Sequence, residues 1–119
     1  MILRVLIVLA CLLFPQPVFA GYETGQDLLI GCTGAYNDSV EVVTGPLHCT
    51  GYIDGILDAH GLLSSAHPET KYFCLPAQGI LTGDAVNIVI LYIQENHEAR
   101  SMPGRLVVIK ALQDQYPCK

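Results

Sequence analysis

The chain has 119 residues, a formal net charge of −5 and 51% hydrophobic residues. A chain of this length can form one domain with a single core of modest stability. The acidic balance argues against binding to nucleic acid or to anionic lipid, and it favours a basic partner.

Residues 1–20 have the organisation of a secretory signal peptide. Arg4 precedes an apolar run of about ten residues, and Val18 and Ala20 fit the small-residue positions before a cleavage site. The run is too short for a stable membrane anchor, which needs about 20 residues. We therefore expect cleavage between Ala20 and Gly21, followed by release into the bacterial periplasm.

Cleavage at this point would leave residues 21–119 as the mature domain. The length would fall by 20 to 99 residues, and the net charge would change from −5 to −6 because Arg4 would be lost. A lipoprotein signal is the alternative, since Val-Leu-Ala-Cys at residues 8–11 resembles a lipobox. Processing before Cys11 would leave residues 12–14 (Leu-Leu-Phe) exposed at the new N-terminus. We therefore favour a mature form without membrane attachment.

The mature domain would contain four of the five cysteines. This number predicts two disulfides in a small exported domain. The lack of a C-x-x-C motif argues against a thiol oxidoreductase. Wide spacing and an oxidising compartment argue against zinc, the other partner that four cysteines can bind. The four are Cys32, Cys49, Cys74 and Cys118.

A polar loop separates the first two predicted helices. The first helix spans residues 24–32, with Thr24 as its N-cap. Residues 33–45 are rich in turn formers and are predicted to form a loop. The second helix begins at Pro46, a favourable residue for a first helical turn, and continues to Ser65.

The second helix carries an apolar stripe whose members recur at three- and four-residue steps. Asp54 and Asp58 fall on the opposite face, which we interpret as a solvated surface and not as an acid/base pair. Gly51 and Gly55 lie one turn apart. Because glycine destabilises a helix interior by about 1 kcal/mol, the pair predicts that another element packs closely there. The stripe comprises Cys49, Tyr52, Ile53, Ile56, Ala59, His60 and Leu63.

Two further helices follow a predicted loop over residues 66–81. Thr82 is expected to cap the third helix, whose apolar run over residues 85–93 is compatible with a buried helix or a strand. The cap and the helix-compatible residues after the run favour the helix. The fourth helix is predicted from about Ser101 to Tyr116, where proline ends it. Its apolar face comprises Leu106, Ile109, Leu112 and Tyr116, widened by Val108 and Ala111.

These elements predict an all-α fold, a small, roughly antiparallel four-helix domain stapled by two disulfides. Cys32 ends the first helix and Cys49 begins the second, so both sulfurs lie at one end of an antiparallel pair. Cys74 precedes the third helix and Cys118 follows the fourth, again at one end. We therefore predict Cys32–Cys49 and Cys74–Cys118 bridges, which would contribute about 3 and 4 kcal/mol on the chain-entropy model.

The sequence contains no recognisable catalytic, metal or cofactor motif. The four histidines form no H-x-x-x-H or H-x-H pair. His60 lies on the apolar stripe, where we expect a hydrogen-bonded core residue. Paired cysteines would leave no free thiolate, and no G-x-S-x-G, P-loop or dinucleotide fingerprint is present. These observations favour a domain without enzymatic activity, metal or cofactor, with a hydrolase whose site is assembled only by the fold as the alternative.

An ordered set of motifs across nearly all of the mature domain resembles the Rap/Tai family of immunity proteins from Gram-negative bacteria. Asp-Leu-Leu at residues 27–29 precedes Cys32. C-x-G-Y-x-x-G begins at Cys49, F-C-x-P begins at Phe73, and an aromatic-Pro-Cys motif ends at Cys118. The combination of motifs is specific, whereas each motif alone is weak.

The resemblance implies a small, helical periplasmic protein that binds and occludes a peptidoglycan-cleaving amidase effector delivered by type VI secretion. It also implies a homodimer, and a loop or helix that enters the cleft of the toxin. The connection over residues 97–104 is our candidate for that loop, with a plain helix connection as the alternative. A small periplasmic chaperone whose helices become exposed in acid is the alternative function. The candidate contact residues are His97, Glu98, Arg100, Ser101 and Met102.

Overall fold

The protein is all-α, as a computed structural model shows, and this part of the sequence-based prediction is confirmed. The structure describes residues 1–13, 21–22, 24–34 and 39–119, with side chains for all of these except residues 8–13 and 39–45. Within these ranges there are five α-helices and no strand. They are α1 (Ile2–Leu13), α2 (Gly25–Thr33), α3 (Ser39–Ala66), α4 (Thr82–Glu95) and α5 (Gly104–Gln115).

Helix α1 lies inside the predicted signal peptide. The side chains of its first residues, up to Ile7, are exposed to solvent. None of the helices in the described ranges combines the length and the hydrophobicity needed to cross a membrane. The cleavage site itself, at residues 20 and 21, cannot be compared with the prediction, because residues 14–20 lie outside the described part of the chain.

The N-cap prediction for α2 is confirmed, whereas the predicted loop before α3 is wrong in its described part. The hydroxyl of Thr24 accepts a hydrogen bond from the Asp27 backbone N–H at 3.2 Å. Helix α3 begins at Ser39, so Pro46 lies inside the helix and not in its first turn. Residues 39–44 contain no glycine or proline. The intrinsic preferences of their side chains are weak enough to be overridden by the helix that follows. The remainder of the predicted loop, residues 35–38, falls outside the description.

Helix α4 resolves the choice between strand and helix in favour of the helix. Ala85, Val89 and Ile93 are fully buried at four-residue steps, as one face of a helix requires. The predicted cap is wrong, because Leu81 occupies the N-cap position and makes no side-chain cap. The hydroxyl of Thr82 instead donates a hydrogen bond to Asp54 Oδ1 at 2.6 Å.

Helix α5 buries part of its predicted face. Val108, Ala111 and Leu112 are buried as predicted, together with Val107, whereas Leu106 is 39% exposed and Ile109 is half-buried. At the start of α5, a Cβ on Gly104 would meet the backbone oxygen of Tyr22 at 2.7 Å. The chain therefore packs the start of α5 directly onto a neighbouring backbone.

Both predicted disulfides are present, and each joins residues whose Cα atoms lie 5.0 Å apart. Cys32 pairs with Cys49 and Cys74 pairs with Cys118. The first bridge is buried in the core between α2 and α3, whereas Cys118 of the second is exposed. The Cys74 N–H also donates to the Tyr116 carbonyl at 2.8 Å, so the segment before α4 lies beside the end of α5.

The core forms where α2, α3, α4 and α5 meet, and three glycines allow the closest approaches within it. A Cβ at Gly25 would clash with the carbonyl oxygen of Ala99, and one at Gly31 would clash with the ring of Tyr22. Gly104 is the third. The largest fully buried side chains are Phe73, Leu28, Ile53, Ile93, Leu112, Val89, Val107 and Val108.

Candidate functional site

The predicted partner-binding connection is a short 3₁₀ helix, His97–Ser101, followed by the residues that lead into α5. His97, Glu98 and Ser101 are exposed, whereas Arg100 and Met102 are half-buried. The structure therefore presents three of the five predicted contact residues freely to solvent. The side chains of the other two, Arg100 and Met102, are partly buried within the domain.

Backbone contacts hold this connection against α2. Ala99 is fully buried, and its carbonyl oxygen lies directly over Gly25. The Gly25 N–H donates to the Met102 carbonyl at 2.8 Å. Of Arg100, the Nε is buried and finds no hydrogen-bond partner among the described residues. The backbone of the 97–104 connection is thus held against α2, while polar side chains project from it.

A second exposed surface, which is not among the predicted contact sites, runs along α3. Leu47 and Leu62 are 70% and 74% exposed. Between them, no other described element comes within 4 Å of the position that a Cβ would take at Gly51 or Gly55. Among the described residues, the predicted close packing on these two glycines is therefore wrong. We call this surface the leucine face, defined by Leu47, Gly51, Gly55, Asp58 and Leu62.

The sequence does contain a signal for the leucine face. Positions 47, 51, 55, 58 and 62 recur at steps of three or four residues and therefore share one side of a helix. Two leucines lie on the side of the helix that carries Asp58. This side is therefore not the purely polar, solvated surface that was predicted. The interpretation of Asp54 also needs correction, because this residue is half-buried and accepts the Thr82 hydrogen bond, while Asp58 is exposed.

An apolar groove of about 280 Å³ lies beside the second half of α3. His60 forms its polar contact, since His60 Nε2 accepts a hydrogen bond from the Tyr72 N–H at 3.1 Å. The imidazole also stacks on Phe73, with ring centroids 3.7 Å apart. His60 is thus hydrogen-bonded as predicted, but it is half-buried and not a core residue. The groove is lined by Ile56, Ala59, His60, Leu63, Thr70, Tyr72 and Ile109.

The environment of His60 keeps its imidazole neutral. Burial lowers the pKa of His60 below its usual value of 6.5, and the positive charge of Lys71 lowers this pKa further. The neutral ring is the form that can accept the Tyr72 hydrogen bond at Nε2. The contact therefore fastens the extended segment before Cys74 onto α3.

A shallow depression lies between the first half of α3 and Gly21. Its lining includes Gly21, His48, Gly51 and Gly55. The rings of Tyr22 and His48 stack with centroids 4.9 Å apart. Because Tyr22 also packs on Gly104, it connects the 97–104 connection to the end of the leucine face.

Among the described residues, no group of three or more His, Cys, Asp or Glu side chains could hold a metal ion. The four cysteines of residues 21–119 are bonded to one another, so none of them offers a free thiol.

Comparison with known protein families identifies one match. The model of the family described as Rap1a immunity proteins matches residues 24–118, a range that contains α2 to α5 and both disulfides. Comparison with curated proteins finds no match.

Proposed function

The chain belongs to the Rap1a immunity protein family, and on this premise we propose that it binds and occludes a peptidoglycan amidase effector delivered by type VI secretion. The observation that carries the proposal is the extent of the family match, residues 24–118. This range includes the whole disulfide-stapled domain. Inhibition would be stoichiometric, because the protein acts by covering the effector and not by chemical modification.

We also propose that the domain acts in the periplasm after removal of residues 1–20. A peptidoglycan amidase acts on the cell wall, so a protective protein must reach the same compartment. Intact-mass measurement of the periplasmic form tests this step. We expect a chain that begins at Gly21 with no free thiol, whereas an acylated Cys11 at the N-terminus would contradict it.

The 97–104 connection is the proposed element that enters the effector cleft. Its support is the combination of exposed polar side chains with an anchored backbone. Ala99 and Met102 fix the segment against α2, so little conformational freedom would be lost on binding. The unsatisfied Nε of Arg100 would gain a partner if an effector carboxylate or carbonyl approached it.

Co-expression in the periplasm tests the function directly. A peptidoglycan amidase effector of a type VI secretion system, sought among the genes that neighbour the gene of this chain, is produced with or without the immunity protein. We expect lysis only in its absence, and complete inhibition of the purified amidase at about one-to-one stoichiometry. Equal lysis in both cases, with an amidase confirmed to be active, would contradict the proposal.

Charge reversal then tests the connection. Glu98→Lys together with Arg100→Glu should weaken inhibition, because losing a desolvated charge contact typically costs about 2–5 kcal/mol. Glu69→Lys is the matched control, since Glu69 is also exposed but lies in the 3₁₀ helix Pro68–Thr70 after α3. If the unmodified protein, the double variant and the Glu69→Lys control inhibit the amidase equally, the 97–104 connection is not part of the interface.

A further inference from the structure

We propose that the effector also docks on the leucine face of α3, through a basic segment that carries two apolar side chains. This inference rests on the proposed function and assigns a second contact surface to the same partner. The surface extends from Leu47 to Leu62, which are 15 residues apart. At a rise of 1.5 Å per residue, their Cα atoms are separated by about 22 Å along the helix.

The exposure of the two leucines is the first step. Leu47 and Leu62 are 70% and 74% exposed on one side of one helix, so the free energy of burying these side chains is not gained within the folded domain. Single exposed apolar residues are ordinary, but these two lie on the same side of α3 as the uncovered glycines between them. Two apolar side chains of a partner can use them as anchors.

The shape between the leucines favours a closely packed partner. Gly51 and Gly55 leave the helix backbone uncovered, and together with Gly21 and His48 they line the shallow depression of about 450 Å³. No described residue packs on these two glycines, so their destabilising effect on the helix is not compensated within the described part of the chain. A partner segment that approaches the backbone here would provide that compensation.

The acidic residues of α3 favour a basic partner segment. Helix α3 contains three acidic residues and no lysine or arginine. Asp58, in the middle of the leucine face, is exposed and has no ion-pair partner among the described residues. Asp54, beside it, is half-buried and bonded to Thr82. A lysine or arginine between the two apolar anchors of the effector would therefore meet Asp58.

The leucine face is also continuous with the proposed cleft-entering connection. Tyr22 packs on Gly104 at one side and stacks on His48 at the other. His48 is the immediate neighbour of Leu47. One partner that covers the 97–104 connection can therefore extend over Tyr22 onto α3 without leaving the surface.

The test compares variants for inhibition of the peptidoglycan amidase effector that the co-expression experiment identifies. Leu47→Ala with Leu62→Ala, and separately Asp58→Lys, should each weaken binding about tenfold or more, as expected for anchor residues. Leu91→Ala is the matched control, because Leu91 is 54% exposed on α4, away from the face. It should leave the affinity unchanged. Thermal unfolding confirms that each variant remains folded.

Each other outcome overturns the inference. Unchanged inhibition by both leucine-face variants would leave the proposed function intact and exclude this surface. Loss of self-association in size-exclusion chromatography, with inhibition retained, would identify a second copy of the chain as the occupant. If the unmodified protein does not inhibit the amidase, the proposed function fails and this inference falls with it.

Discussion

Two regions of the molecule use the same residue types in opposite ways. In the core, Gly25 and Gly104 lie against the backbones of Ala99 and Tyr22, Gly31 lies against the Tyr22 ring, and Leu28 is completely buried. On the leucine face, no other described element approaches Gly51 or Gly55, and the leucines are exposed. The comparison shows that a glycine or leucine in a helix indicates close packing only when a neighbouring element is present. The closed region makes the domain stable, whereas the open one is available to a partner.

The largest expected effect is the difference in the free energy of unfolding between a substitution at a buried leucine and one at an exposed leucine. Leu28→Ala is expected to destabilise the domain by about 2–5 kcal/mol, because it leaves a cavity at a position with no solvent exposure. Leu62→Ala, at an exposed position, should change stability by no more than about 0.5 kcal/mol. Urea unfolding followed by circular dichroism measures both. Similar losses would show that Leu62 is covered within the folded chain.

Replacing glycine by alanine should have a smaller effect on stability, and the sign of that effect should differ between the two regions. Gly25→Ala should destabilise by about 1–3 kcal/mol, because its Cβ would clash with the rigid carbonyl of Ala99. Gly55→Ala should stabilise by about 0.5–1 kcal/mol, because alanine has the higher helix propensity and its methyl group enters open space. Thermal melts of both variants give the two signs. Destabilisation by Gly55→Ala would mean that an element covers that site.

Local signals predicted those parts of the fold that depend on nearby residues. Thr24 caps α2 because its hydroxyl reaches an N–H only three residues away. The disulfide pairing also followed, since it needs only the order of the helices and their ends. The family resemblance relied on motifs that include these same cysteines, and the match over residues 24–118 agrees with it.

Contacts between distant segments could not be predicted in the same way. Thr82 resembles an N-cap, but its hydroxyl bonds to Asp54, which is 28 positions earlier in the chain. Gly104 lies against the backbone of Tyr22, a neighbour 82 positions earlier that no periodicity reveals. For the candidate site, the pattern placed Asp58 correctly on an exposed side. It could not show that no other described element would pack on Gly51 and Gly55.

The smallest expected effect concerns His60, at the border between the packed core and the open groove. Because the folded protein lowers the pKa of His60, the unfolded chain binds more protons below the usual value of 6.5. The stability contributed by His60 is therefore fully present above about pH 6.5, and it is lost as the pH falls through the lowered pKa of the folded state. Protonation would also remove the acceptor for the Tyr72 N–H.

His60→Gln separates this contribution from those of the other titrating groups. The Gln side chain can offer an oxygen to the Tyr72 N–H, but it does not titrate. The free energy of unfolding should therefore fall less steeply between pH 7 and pH 5 in the variant than in the unmodified protein, because His48, His67 and His97 are common to both. Chemical denaturation at several pH values measures the two slopes. Parallel slopes would contradict the lowered pKa of His60 in the folded protein.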